Sequence, residues 1–152
     1  MGQIELVQAA ADNADLAKLI AKLDAYLLEQ YPPDEIFGVD FDDPDVEEIT
    51  FIVAYLGGVP VGCGATRPLD RDNTELKRFF VDPVYRNKGV AQLILGELEA
   101  RAKRAGFIFI KLEAGEKQFE ALNFYRKHGY YPIDRFGEYV ACESSVCYEK
   151  RL

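Results

Sequence analysis

The sequence has no tryptophan, one histidine, one methionine and three cysteines among 152 residues. A single histidine leaves no histidine cluster for a metal centre. Cys63, Cys142 and Cys147 are odd in number and include no C-x-x-C pair, so neither a disulfide framework nor a zinc site is indicated. They read as buried or half-buried thiols in strands, which fits a reducing cytoplasm. Long apolar runs are missing too. Phe51 to Leu56 is about the longest, far short of the roughly 18 residues that a membrane helix needs. Met1 to Glu5 lacks the basic and apolar regions of a signal peptide, and Leu6 stands where a myristoylation site at Gly2 wants Ser or Thr. A surplus of basic residues is also absent: 18 Lys and Arg face 26 Asp and Glu, for a net charge of -8. That speaks against a generic nucleic-acid binder.

What is present fits one globular domain spanning 1–152, with 49% hydrophobic residues for a sizeable core and no repeat, linker or low-complexity tract. The charge is unevenly placed. Asp34, Glu35, Asp40, Asp42, Asp43, Asp45, Glu47 and Glu48 lie between Pro32 and Glu48 with no Lys or Arg among them. Removing those eight acids leaves 18 against 18 bases, so one segment carries the whole net charge. It reads as loop with a short helix at most. A solvated surface is the simple reading, and attraction of cationic amines the sharper one.

Periodicity supplies the elements. Gln3 to Gln8 alternates as a strand. Leu16, Leu19, Ile20, Leu23 and Leu27 share one helix face, with Asp12 as the expected N-cap. Tyr31-Pro32-Pro33 stops that helix. Ile49–Leu56 and Val59–Thr66 form a hairpin around Gly57-Gly58, and Glu75–Val81 extends it to a meander. Residues 88–105 form an amphipathic helix ending at Gly106. The apolar run Phe107–Leu112 predicts a strand covered on both faces. Lys117–His128 predicts a helix, and Tyr130–Arg135 and Ser144–Lys150 the last strands. The order β-α-β-β-β-α-β-α-β-β mixes hairpins with crossovers, so an α/β (α+β) fold with a mixed sheet is expected.

The segment Phe79-Phe80-Val81-Asp82-Pro83-Val84-Tyr85-Arg86-Asn87-Lys88-Gly89-Val90-Ala91 joins a strand to a helix start. Unpaired amides and the positive helix end suit an anion there, Gly89 lets a bulky anion approach, and Arg86 and Lys88 add cations. Neither a Walker A loop nor a G-x-G-x-x-G fingerprint is present.

This segment resembles the acyl-CoA signature [RQ]xxGx[GA] of the GNAT superfamily of N-acyltransferases, met by Arg86, Gly89 and Ala91 after Val81-Asp82-Pro83. Gln118 to Tyr125 and Gly129-Tyr130 resemble the superfamily's second motif, NxxAxx[LF]YxxxG[FY]. Asn87 stands where many members have Gly, and Gln118 where the CoA-contacting Asn is usual. The resemblance covers the element order of the whole chain. It implies a mixed, mostly antiparallel sheet of about seven strands with about four helices, splayed at the acyl-CoA site.

The resemblance further implies direct transfer of an acetyl group from acetyl-CoA to an amine, with no metal. Arg86, Asn87, Lys88, Gly89, Val90 and Ala91 then hold the pyrophosphate. Backbone groups of Phe79, Phe80 and Val81 hold the pantetheine arm as an added strand would. Gln118, Asn123 and Tyr125 complete the cofactor contacts. Tyr125 matches the general acid for the leaving thiolate. Glu75 and Glu113 both stand where members carry a general base, and the residues leave that choice open. One of Lys77 and Arg78 faces the acceptor cleft, but alternation cannot say which. Tyr26, Tyr31, Glu75, Phe136 and Tyr139 are candidates for the acceptor side. A small-molecule amine or amino acid is the expected acceptor. The alternatives are a protein lysine or N-terminal amine, and a non-catalytic acyl-CoA sensor. Homodimers are common in the superfamily, and no residue here demands one.

Overall fold

The computed structural model describes residues 3–152, so the N-terminal reading at Met1 and Gly2 lies outside the described residues. Seven strands form one sheet: β1 (Ile4–Ala9), β2 (Thr50–Leu56), β3 (Val59–Pro68), β4 (Asn73–Val81), β5 (Phe109–Gly115), β6 (Tyr131–Ile133) and β7 (Ser145–Arg151). Their order is β1-β2-β3-β4-β5-β7-β6. Every neighbouring pair is antiparallel except β4 and β5, which run parallel. This is the mixed sheet that the order of hairpins and crossovers predicts.

The helices are α1 (Ala14–Leu28), α2 (Val90–Arg104) and α3 (Phe119–Lys127), three among the described residues rather than about four. The acidic segment, read from the sequence as loop with a short helix at most, supplies two short 3-10 turns, Pro33–Glu35 and Pro44–Glu48. Pro33, Gly38 and Pro44 interrupt any longer run, and no apolar stripe is there to hold one against the sheet. No helix among the described residues is long and apolar enough to cross a membrane.

The two faces of the sheet bury different helices. On one face Leu16, Leu19 and Leu23 of α1 pack on Phe51, Val53, Cys63, Ala65 and Phe80. On the other, Val90, Ile94, Leu95 and Leu98 of α2 and Leu122 and Tyr125 of α3 pack on Ile52, Ala54, Val61, Leu76, Ile110 and Leu112. The period-2 alternation of β2 thus serves both layers.

Two local expectations are corrected. Asn13, not Asp12, caps α1: its Oδ1 accepts from the Leu16 amide at 3.0 Å. Both residue types can cap, and the chain chooses the one that starts the helix a residue later. The strand after α2 is not covered on both faces. Ile110 and Leu112 are fully buried, but Ile108 is exposed and Phe109 and Lys111 are half-buried. The reason is that α1 packs over β3 and β4, so on that side β5 meets loop residues instead.

The β4 strand carries two irregularities. Its pairing with β5 covers Asn73↔Phe109, Thr74↔Ile110 and Glu75↔Lys111 and then stops. Its pairing with β3 jumps from Ala65↔Lys77 to Cys63↔Phe80, so Gly64 stands opposite both Arg78 and Phe79. That is a bulge, and Arg78 takes a left-handed φ of 52° to make it.

Candidate active site

Beyond Glu75, β4 stays with β3 while β5 follows β7 to Gly115, and the two parallel strands part. The inner edges of Leu76–Val81 and Leu112–Gly115 therefore share no ladder across the gap, which suits an extended amide-bearing ligand laid in as an extra strand. A cleft of about 120 Å³ opens here. Lys77, Arg78 and Phe79 form one wall, Glu113 and Gly115 another, and Gln118 and Tyr125 of α3 a third. Leu23, Leu27 and Tyr31 approach from the α1 side, and Ile36, Phe37 and Tyr139 cover it from two loops.

The loop from β4 to α2 leaves an open, uncapped helix end. Asp82 holds its start: one oxygen accepts from the Val84 amide at 3.1 Å and the other from Lys22 Nζ at 2.7 Å. The Lys22 hydrogen bond above all keeps the Asp82 carboxyl below its ordinary range. Asn87 at φ 63° and Gly89 at φ 81° then swing the chain into α2. Asn tolerates the left-handed region better than most residues, which accounts for its standing at a position where glycine is common. No side chain caps the first amides of α2, and its first turn holds no acid. Asn87, Lys88 and Gly89 are exposed, and nothing lies within 4 Å of where a Cβ on Gly89 would sit. Val90 is buried and anchors the helix, and Ala91 keeps the turn small. Arg86 donates from Nε to the Val81 carbonyl at 3.3 Å, and its guanidinium lies 5.8 Å from the Tyr26 ring centre. The pyrophosphate of a CoA ester fits this open, positive helix end.

The carboxylates differ sharply. Glu113 lies in the cleft wall, its Oε2 accepting from the Ser145 hydroxyl. Burial raises its pKa above the ordinary carboxylate range, while Ser145 and the Lys77 charge pull the other way. Glu75 is 1% exposed and lies behind the wall. Its oxygens are taken by Arg67 at 2.8 Å and by the Tyr139 hydroxyl, with Lys77 Nζ 3.8 Å away. Glu138 also reaches Arg67, at 3.1 Å, so this network ties the loop carrying Tyr139 to the sheet.

Tyr125 is 5% exposed, and its ring packs against Phe79, Phe124 and Tyr130. Among the described residues none makes a hydrogen bond with its hydroxyl. Burial first, and the Glu113 charge second, raise its pKa above that of an ordinary phenol.

The remaining expected site residues divide. Tyr31 lines the cleft; its hydroxyl accepts from the Lys117 amide at 2.9 Å, against Gly115. Gln118 also lines it, and its amide donates to Gln30 Oε1 at 3.0 Å. Together these contacts strap the end of α1 to the β5–α3 corner. Tyr139 is buried in the cover, edge-on to Phe37. Phe80 and Val81 turn their side chains into the two cores, leaving their backbone for the gap. Tyr26 lies under Arg86, Phe136 packs on Tyr139 with Lys111 over its ring, and neither lines the cleft. Asn123 is exposed on α3, accepting from Arg126, and does not line it either. Of the acids in the acidic segment, Glu35 alone lines the cleft, where it accepts from the Ser144 hydroxyl; Asp40, Asp42, Asp43 and Asp45 are solvent-exposed.

Sequence reasoning missed Ser145 and the pairing of Arg67 with Glu75 and Glu138. It also left Lys77 and Arg78 unresolved, and both line the cleft. No periodic signal marks these positions. Among the described residues no three His, Cys, Asp or Glu side chains gather as metal ligands.

The GNAT acetyltransferase family model matches residues 14–130. The chain is 34% identical over 139 residues to an IAA acetyltransferase of Azospirillum brasilense, a match covering 90% of each protein. It is 31% identical over 123 residues to the uncharacterized N-acetyltransferase YsnE of Bacillus subtilis, covering 80% of this chain and 82% of that protein. A Klebsiella pneumoniae structure assigned as an acyl-CoA N-acyltransferase superposes with a TM-score of 0.83 at 28% identity, over 99% of this chain and 98% of that one. A GNAT acetyltransferase from Elizabethkingia anophelis with acetyl-CoA bound shares the fold, with a TM-score of 0.73 at 18% identity over 98% of each.

Proposed function

The chain belongs to the GNAT acetyltransferase family and is an acetyl-CoA-dependent N-acetyltransferase, and from that premise we propose that its acceptor is the primary amine of a small molecule. The observation that carries this reading is that Glu113 and Tyr125 line one small cleft, about 120 Å³, lined also by Ile36, Phe37 and Tyr139. A cleft this small supports a small acceptor over a peptide, which needs an extended groove.

In this reading each residue has one task. The helix end at Gly89–Ala91, with Arg86 and Lys88, binds the pyrophosphate. The β4 edge at Phe79–Val81, free of β5, binds the pantetheine amides, and a backbone N–H there stabilises the charge that grows on the thioester oxygen. The amine arrives as an ammonium and must lose a proton before it can attack. Glu113 takes that proton, and the pKa raised by its burial makes it a stronger base than an exposed carboxylate. The Ser145 hydroxyl and the Lys77 charge keep it ionised enough to act. Tyr125 holds its own proton firmly at neutral pH and delivers it to the departing thiolate. Glu75, enclosed by Arg67 and Tyr139, organises the cover rather than meeting the substrate. One chain supplies all of these groups, so a second copy is not required for the chemistry. The unpaired thiols of Cys63, Cys142 and Cys147 support a cytoplasmic location.

The test is a panel of primary amines, amino acids and lysine peptides with acetyl-CoA, following free thiol. Thiol release above the hydrolysis rate with a small amine, and none with peptides, is the expected result. Faster turnover of peptides than of every small amine would overturn the reading.

A further inference from the structure

Two adjacent cations, Lys77 and Arg78, share the wall of the cleft. In a regular strand neighbours face opposite sides of the sheet. The bulge opposite Gly64, with Arg78 in a left-handed conformation, cancels that alternation, and both residues line the cleft. They are 4% and 8% exposed. A charge so deeply buried is costly without partners. Arg78 makes one side-chain hydrogen bond, to Asp24 Oδ1 at 2.6 Å. Lys77 makes one, to the Tyr139 hydroxyl at 2.8 Å; the nearest oxygens of Glu75 and Glu138 stand at 3.8 and 3.6 Å, beyond hydrogen-bond reach. An ammonium has three donors and a guanidinium five. Unused donors therefore remain on both cations beside Glu113, whose charge bears on Lys77, and the unbonded Arg78 nitrogens keep some access to solvent.

The charges around this wall favour a ligand with both signs. Glu75, Glu138 and Glu113 surround Lys77 together with Arg67. A purely anionic ligand meets three carboxylates, and a purely cationic one meets Lys77 and Arg78. A zwitterion, with its amine toward Glu113 and its anion toward the two cations, satisfies both sets.

Resting on the small-molecule reading above, we propose that the acceptor is a free amino acid whose carboxylate is received by Lys77 and Arg78 while its amine lies at Glu113. The apolar part of the wall, Leu23, Leu27, Ile36 and Phe37, flanks its side chain and favours an apolar one.

The experiment compares leucine and phenylalanine with their carboxamides and with isoamylamine and phenethylamine. Values of kcat/KM are measured by thiol release with acetyl-CoA and expressed per neutral amine. The free amino acids are expected to lead by about ten- to hundredfold, the scale of a hydrogen bond to a charged group. Lys77→Met should cut the amino-acid value at least about tenfold more than the carboxamide value, and Lys77→Arg should recover part of the loss. Equal or better use of the carboxamides or amines by the native enzyme overturns the inference, whether or not Lys77→Met folds. If other small amines are acetylated but none of these amino acids, this inference falls and the small-amine reading stands. If no small amine releases thiol, both fall.

Discussion

Replacing Tyr125 by phenylalanine separates catalysis from packing. The ring sits 5.9 Å from Phe79, 5.8 Å from Phe124 and 5.7 Å from Tyr130 between centres, and phenylalanine keeps all three contacts. The hydroxyl has no hydrogen-bond partner among the described residues, so its removal orphans nothing, and the roughly 1 kcal/mol of a typical hydrogen bond is not at stake. Stability should change by under about 0.5 kcal/mol, which for a domain of this size moves Tm by less than about 2 °C. Acetyl-CoA affinity, which our proposal assigns to the helix end and the β4 edge, should stay within about threefold by calorimetry, or about 0.6 kcal/mol. Loss of a positioned proton donor costs about 10²- to 10⁴-fold in turnover, equivalent to about 2.7–5.4 kcal/mol at the barrier. Burial holds the Tyr125 proton above the ordinary phenol range, so the native enzyme should show no decline owed to this residue below about pH 10. A kcat within a few-fold of the native value would refute the acid role. A kcat that falls in step with Tm would return Tyr125 to a packing role.

Other perturbations have equally definite signs. Ser145→Ala removes a donor that favours ionised Glu113, so the acid limb of the kcat/KM profile should move to higher pH, with the loss at pH 6 exceeding that at pH 9. Because the folded pKa of Glu113 is raised, the native protein is favoured most below the ordinary carboxylate value, and that advantage is lost as pH rises through the raised one. The same substitution should therefore lower neutral-pH stability in chemical denaturation more than acid stability. Gly89→Ala meets no clash but forces a side chain to φ 81°, and should cost about 1–2 kcal/mol by thermal denaturation while raising the acetyl-CoA KM. Arg67→Ala leaves Glu75, 1% exposed, without its closest cationic partner, and urea denaturation should record a loss of about 3 kcal/mol. Converting Asp40, Asp42, Asp43 and Asp45 to Asn should raise KM for a cationic amine at low salt, vanish at high salt and leave acetyl-CoA binding unchanged.

The proposed cofactor end was legible as a turn and an open helix start because its parts are contiguous: Arg86 through Ala91 carry their own turn, helix start and charge within one stretch of chain. The acceptor end was not, because its parts meet across the fold. Glu75 and Glu113 look equivalent in sequence. The structure separates them through Arg67, eight residues from Glu75, and Tyr139, 64 residues away. Lys77 and Arg78 were ambiguous for a different reason: a bulge adds one residue to β4 without any mark in composition, and an alternation rule fails there by construction. Periodicity marked the three helices that form, the count of about four came from the resemblance alone, and the prolines of the acidic stretch marked it as loop.

Gly115 acts as a gauge block. A methyl group there would collide with the hydroxyl and ring of Tyr31, which is itself pinned by the Lys117 amide. The spacing between the end of α1 and the β5 strand is therefore machined to a fixed tolerance. Sliding that helix toward the strand would press the Tyr31 hydroxyl into Gly115, whereas Ile36, Phe37 and Tyr139, which also line the cleft, belong to connecting segments outside that frame.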